Sequence, residues 1–416
     1  MGKSYTINAL IQHYQKEKKQ VVALGSTGVS AVNIGGFTIH SFFVFGIINT
    51  LEELPAHDKR NRSRLSDLKK ILKTTDLIII DEISMVSAEM MEMIDYRLNA
   101  LGYLGRLLFV GDFFQLPPVQ KHHQSNNTLF GDRLYAFESD AWRGLDPMVI
   151  ELTQMRRTKD PTFTHILHKV RVGVCDQEVI AYMMQLATHS IHDPNPTYLF
   201  GRNAEVNERN QLKLHAVPTP EHTLTATLKE HHHTIHPKRL ESWKKLLPIE
   251  EKLILKVGVP VLFTVNKWGK YVNGERGIVQ QIEEEYIIVD KGKEYVRVER
   301  HEFDLLEMQS DEEGKIQNIT LATLSQFPLK LAYAVTIHKS QGMSIDHLIC
   351  NVDNIFAPSQ FYVAISRATN PKNLKLEFNR GNLVAYLQRM IRVDPRVRDY
   401  YQSIGDRYVV NEKLPF

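Results

Sequence analysis

Residues 76–82 read Asp-Leu-Ile-Ile-Ile-Asp-Glu, an unbroken apolar run closed by adjacent carboxylates. A strand that is apolar at every position, not every second one, must be buried on both faces. That is the pattern of a parallel sheet covered by helices on each side. Val21-Val22-Ala23-Leu24 and Leu107-Leu108-Phe109-Val110 are runs of the same kind, each ending at a glycine. Between them, residues 4–18 and 87–101 have helical patterning. In the second stretch Met90, Met91, Ile94, Leu98 and Leu101 recur at three- and four-residue spacing. Strand alternating with helix predicts a doubly wound α/β sheet, with its ligand site beyond the carboxyl ends of the strands.

The rest of the chain divides by pattern. A second α/β region opens near Ile150, with a helix over residues 162–172 and a polar, His- and Pro-rich passage over 217–248. From Val257 to Arg300 the period changes to two: Val259 to Phe263, Gly277-Ile278-Val279, Tyr286 to Val289 and Tyr295 to Val298 are short strands punctuated by Asn273-Gly274, Asp290 and Gly292. Strands at that spacing predict a small antiparallel barrel. After Pro328 the α/β character resumes, with a strand at Leu348 to Val352 and a helix over 383–392. The expected units are therefore 1–149, 150–256 and 328–416, with 257–327 inserted as the barrel. A length of 416 residues suits two to four domains at roughly 100–200 residues each. Two cysteines, Cys175 and Cys350, cannot build a disulfide framework or a four-thiolate zinc site, which points to a reducing, intracellular compartment. That is cytoplasm or nucleoid in a bacterium, nucleus or mitochondrion in a eukaryote. No apolar run reaches the ~18–20 residues of a membrane span, and the N-terminus has no apolar signal core. A net charge of +3 identifies no partner by itself.

Three strings carry chemistry. Gly2-Lys3-Ser4 at the head of a helix is the tail of a phosphate-binding loop, G-x-x-x-x-G-K-[ST]. There the lysine meets the β- and γ-phosphates and the hydroxyl meets Mg²⁺. Asp81 and Glu82 close an apolar strand, where a nucleoside triphosphatase needs one carboxylate for Mg²⁺ and another to orient and activate water. Gly111-Asp112-Phe113-Phe114-Gln115-Leu116-Pro117-Pro118-Val119 follows the next strand, and the prolines stiffen a loop that presents Gln115 as a γ-phosphate sensor. The histidines at 222, 231, 232, 233 and 236 have no carboxylate or thiolate at ligand spacing and belong to a loop.

The order of these strings, with Ala23–Phe43 (A-L-G-S-T-G-V-S-A-V-N-I-G-G-F-T-I-H-S-F-F) between the first two, resembles the petite-integration-frequency (Pif) helicases, relatives of the RecD helicases in superfamily 1. L-T-Q-M-R-R at 152–157, V-N-G-E-R-G-I-V at 272–279, L-A-Y-A-V-T-I-H-K-S-Q-G-M-S-I-D at 331–346 and F-Y-V-A-I-S-R-A at 361–368 are similar to that family's later motifs. The resemblance implies two RecA-like P-loop NTPase domains, parallel sheets flanked by helices, with a small SH3-like β-barrel in the second. It further implies an ATP-dependent DNA helicase moving 5′ to 3′, working in replication, recombination or repair. Carried over, Gly2, Lys3, Ser4, Asp81, Gln341 and Gly342 bind ATP. Ser4 and Asp81 hold Mg²⁺, Glu82 is the base, Gln115 the sensor, and Arg156 and Arg367 are arginine fingers from the second domain. Guanidinium groups brought in by domain closure would stabilise the charge that develops on the transferring phosphoryl group.

For single-stranded and 5′-tailed duplex or structured DNA, the resemblance points to Ser26, Thr27, Gly28, His40 and Ser41 in the first domain and His338, Lys339 and Ser340 in the second. Small hydroxyls, backbone N–H groups and imidazoles contact phosphates without reading sequence. Phe42 and Phe43 are either a stacking face or core, and the basic run from Lys59 to Arg64 is either a solvated helix face or a strand-tracking patch. No membrane partner is expected, and the expected form is a monomer. The family's phosphate loop begins several residues before Gly2, so weakened ATP hydrolysis is expected of these 416 residues. The alternatives are a non-catalytic DNA-binding homologue and an RNA-directed helicase.

Overall fold

In a computed structural model the described residues are 2–46, 48, 50–118, 133–153, 157–231, 235–267, 269–292, 294–310, 316–404 and 408–410. The first unit is built on a parallel sheet in the order Phe37–Thr38, Val21–Gly25, Leu77–Asp81, Arg106–Val110. Successive side chains of a strand leave on opposite faces. Leu77 and Ile79 accordingly join Ile7 of helix Lys3–Lys16 on one face. Ile78 and Ile80 join Leu68, Ile71, Met91 and Ile94, from helices Arg62–Thr74 and Ala88–Leu101, on the other. That double cover is why the run is apolar throughout. Ser87 caps the last of these helices by accepting from Met90 N at 3.2 Å, and Gly102 ends it at φ +72°.

The second unit repeats the plan. Its parallel sheet runs Ala334–Thr336, Thr197–Phe200, Leu348–Asn351, Leu374–Glu377. Helices Pro161–Arg171, Gln177–Thr188, Pro358–Ile365 and Leu383–Met390 contribute to the core beside it. Between its halves stands an antiparallel sheet ordered Tyr295–Glu299, Tyr286–Asp290, Arg276–Ile282, Pro260–Phe263, Leu329–Leu331. The long hairpin His301–Ser310 with Ile316–Gln326 pairs beyond it with Thr227–Glu230.

Two paired strands and one helix lie elsewhere than the sequence patterning placed them. Strands Glu221–Thr225 and Lys252–Lys256, expected in the second α/β region, pair with each other and put Leu224, Leu253 and Leu255 into the core of the inserted sheets. Helix Pro395–Ser403, expected with residues 328–416, packs on the first unit. Val397 enters that core, and Tyr400 stacks on Phe137 at 4.3 Å. Both placements rest on pairings distant in sequence, which local periodicity does not encode. No described helix is long and apolar enough to cross a membrane.

Candidate active site

The carboxyl ends of the first sheet gather the Gly2-Lys3-Ser4 string and the two carboxylates. Gly2 is the N-cap of helix Lys3–Lys16, so Lys3 sits in the first turn, where helix N–H groups and the macrodipole favour an anion. Its ammonium lies 3.7 Å from Glu82 Oε2, with both side chains largely covered. Ser4 follows in the same turn. Glu82 has φ +54° and ψ +50°, a left-handed conformation that costs a non-glycine residue roughly 1–2 kcal/mol. The chain turns sharply here, directly after the buried strand, and the next residues form a short 3₁₀ turn at Ile83–Met85. Such strain recurs where a side chain must be aimed.

Asp81 is 6% exposed and accepts from Glu82 N at 2.9 Å. Burial, and then the charge of Glu82 beside it, push its carboxyl up to about 6, while Lys3 pulls the other way. One strand over, Gln115 is buried; its backbone N donates to Asp112 O at 2.8 Å and its Nε2 to Asp112 Oδ2 at 3.3 Å.

The second unit contributes arginines. Arg367 follows helix Pro358–Ile365 and is 3% exposed. It donates from Nε to Val363 O at 2.9 Å, from Nη2 to Ser366 Oγ at 3.0 Å and from Nη1 to Ser340 O at 3.4 Å. Arg157 donates to Ser366 O at 2.8 Å and Ser344 Oγ at 3.2 Å. Neither has an ion-pair partner among the described residues. Burial, then the like charge of Arg157, push Arg367 down to about 9, and the Glu82 carboxylate pulls against that shift for both arginines. Lys3 therefore lies against Glu82 within one unit, and the Glu82 carboxylate acts across the crevice on the charges of Arg157 and Arg367 in the other. Arg156, the expected finger, lies outside the described residues, as do His232 and His233. Arg157 was not singled out from sequence, because adjacent arginines cannot be separated by pattern alone.

The polar atoms left over test whether a nucleotide and metal fit. Lys3 Nζ, Gln341 Nε2, Ser26 Oγ and Glu82 Oε2 are buried with no hydrogen-bond partner among the described residues. Buried ammonium and amide donors without acceptors suit phosphate oxygens. A carboxyl raised by burial and a like charge, as at Asp81, suits a divalent cation that favours the ionised form. Gly342, beside Gln341, has φ +80°, a conformation glycine adopts at no steric cost.

The candidate DNA residues have separate surroundings in the structure. Ser26 N donates to Asp81 O at 3.3 Å, which ties that loop to the carboxylate strand. Thr27 exchanges hydrogen bonds with Ser30, and a Cβ on Gly28 would come within 2.6 Å of Leu246 Cβ, so the helix Pro237–Leu246 covers this loop. Ser41 lines a cleft with Arg64, Arg239 and Glu307, and His40 faces Phe45 edge-on. Arg64 of the basic run lies 3.6 Å from Glu307 of the inserted hairpin. Phe42 and Phe43 are core. In the second unit Lys339 is exposed and His338 stacks on Phe356 at 6.2 Å, but Ser340 is fully buried, its hydroxyl donating to Ile337 O at 2.8 Å. Phe356 is 65% exposed, an aromatic ring beside His338 that the sequence reading did not single out.

Two α/β lobes with a Gly-Lys-Ser helix start and paired strand-end carboxylates on one and arginines without ion-pair partners among the described residues on the other define a nucleotide-driven motor of the RecA-like class. A family described as PIF1-like helicase matches residues 1–179, and a second helicase family matches residues 287–390. The chain is 42% identical over 97% of its length to the ATP-dependent DNA helicase Pif1 of Campylobacter jejuni, covering 92% of that protein. It thus belongs to the PIF1-like helicase family. Its structure resembles that of a Bacteroides Pif1 in complex with ADP-AlF4, with TM-score 0.80 and 27% identity over 97% of this chain and 90% of that one. A Bacteroides Pif1 complex holding both ADP-AlF3 and single-stranded DNA matches with TM-score 0.62 and 26% identity, over 97% and 90%.

Proposed function

We propose that this helicase hydrolyses ATP between its two lobes and uses their closure to move 5′ to 3′ along single-stranded DNA, unwinding 5′-tailed duplex or structured DNA as a monomer. The observation that carries the proposal is that Lys3 lies 3.7 Å from Glu82 on one lobe while the Glu82 carboxylate favours the charged forms of Arg157 and Arg367 on the other. Mg²⁺, held by Asp81 and Ser4, neutralises phosphate charge when bound. Lys3 and the helix N-terminus then hold the β- and γ-phosphates, and Gln341 and Gly342 line the opposite wall. Glu82, aimed by its left-handed backbone, accepts the proton of the attacking water. Gln115 registers the presence of the γ-phosphate. Arg156 and Arg367 stabilise charge on the transferring group as the lobes close, a contribution of roughly 10³–10⁵ in rate for such fingers, and Arg157 adds positive potential beside them.

On the DNA side, Ser26, Thr27, Gly28, His40 and Ser41 in one lobe and His338 and Lys339 in the other are the proposed contacts. Their spread over both lobes turns closure into a step along the strand. The structure is closer to the nucleotide-analogue complex than to the one that also holds DNA. This agrees with Gly28 being covered by Leu246, so a strand that reaches Gly28 must displace the helix Pro237–Leu246. A Lys3→Ala variant tests the proposal: DNA-stimulated ATP turnover should fall at least tenfold. Unchanged turnover would favour the reading of a DNA-binding homologue without catalysis.

A further inference from the structure

Asp112, in the Gly111–Pro118 string, is 3% exposed and saturated with donors. Arg171 Nε and Nη2 each donate to it at 3.0 Å, Phe114 N at 3.2 Å and Gln115 Nε2 at 3.3 Å. A carboxylate has room for about four donors, so its rotation is blocked. Two of the four come from the other lobe. Arg171 is the last residue of helix Pro161–Arg171, whose Phe163, Ile166, Leu167 and Val170 are anchored in the second core, so the guanidinium travels with that lobe as a rigid body. The fork also lies over the Phe114 ring at 4.5 Å, and Phe114 stacks on Tyr401 at 4.6 Å. Burial would push Asp112 up, but the Arg171 guanidinium holds its carboxyl below the usual range.

We infer that Arg171 is a positioning residue of the ATPase centre, acting through Asp112 to orient Gln115 only while the second lobe is seated. The inference rests on the proposed sensor role of Gln115. When the lobe withdraws, Asp112 loses both charge-assisted bonds and its fixed orientation, and the Gln115 amide loses the acceptor that aims it. Sensing of the γ-phosphate and seating of the lobe then become one event, joined by an ion pair that touches no substrate. A plain inter-lobe clamp would instead affect stability and leave Gln115 independent.

The test is steady-state ATP turnover by the full chain, with oligothymidylate, for the parent, Arg171→Met, Arg171→Lys, Gln115→Ala and the Gln115→Ala/Arg171→Met double variant. Thermal melting verifies that each is folded. Arg171→Met should lower kcat at least tenfold with KM for ATP within threefold of the parent. Arg171→Lys keeps the buried charge, so it folds even if the methionine variant does not. It should recover only part of kcat, because an ammonium lacks the two-pronged fork. In the Gln115→Ala background Arg171→Met should cost less than twofold. A kcat within twofold of the parent for the folded Arg171 variants, or an undiminished Arg171→Met loss on top of Gln115→Ala, would overturn the inference. The parent's own DNA-stimulated turnover tests the site assignment separately, since the inference depends only on ratios between variants.

Discussion

Asp81→Asn should stabilise the chain while abolishing its ATP turnover. Asparagine has nearly the shape of the protonated acid but never carries the charge that burial and Glu82 disfavour. The Asp81 carboxyl is raised from 3.8 to about 6, and at 1.36 kcal/mol per unit the ionised form costs the native state about 3 kcal/mol. The sign follows from proton binding. Between the unfolded and folded values the native state holds the extra proton, so stability conferred at low pH is lost as pH rises through about 6. The advantage of Asp81→Asn should therefore be about 1 kcal/mol at pH 4.5 and about 3 kcal/mol at pH 7.5, where linkage has run its course. Each kcal/mol shifts the melting point of a domain of this size by roughly 2–4 °C. Calorimetry on apo protein at both pH values measures it, with Mg²⁺ and ADP added as a control that should raise the parent's melting point more than the variant's. An Asp81→Asn chain less stable than the parent at pH 7.5, or an advantage that does not change with pH, would refute the reasoning.

Other outcomes follow from the same geometry. ATP turnover at fixed Mg²⁺ should decline as pH drops below about 6, because protonated Asp81 no longer attracts the cation; a profile flat to pH 5 would contradict this. Arg97→Met should destabilise the first lobe by about 3 kcal/mol, since Arg97 is 1% exposed and its fork holds Asp58 at 2.7 and 2.8 Å, leaving a carboxylate without its partner; denaturant melts measure it. Phe356→Ala should weaken oligothymidylate binding by about 1–3 kcal/mol, the worth of one base stacked on an aromatic ring, with ATP affinity unchanged; fluorescence anisotropy reads both.

Much of the catalytic crevice is legible in the sequence because its residues sit at strand ends. An apolar run such as Leu77–Ile80 fixes where Asp81 and Glu82 must emerge, and the helix after Gly2 fixes Lys3. The string around Arg367 identifies it by resemblance alone; no periodicity distinguishes a buried arginine from a surface one. What escaped detection depends on long-range pairing. Thr227–Glu230 has no alternation of its own and becomes a strand only against Ser325 and its neighbours. The helix Pro395–Ser403 is amphipathic, but nothing in its pattern says that its apolar face meets the first lobe. Arg171 shows only as a basic residue at a helix end, a common and favourable placement, until Asp112 is found opposite it. Ser340 shows the converse, a hydroxyl in a DNA-contact string that the fold turns inward.

The central claim is that ATP cleavage between the lobes moves the grip on a DNA strand in one direction. Unwinding of a duplex with a 5′ single-stranded tail, beside the same duplex with a 3′ tail, tests it most directly when parent and Glu82→Gln chains are compared with ATP and Mg²⁺. The parent should separate the 5′-tailed duplex alone, and Glu82→Gln should bind that tail as tightly yet leave the duplex intact. Equal unwinding from both tails, or unwinding that survives Glu82→Gln, would contradict the account.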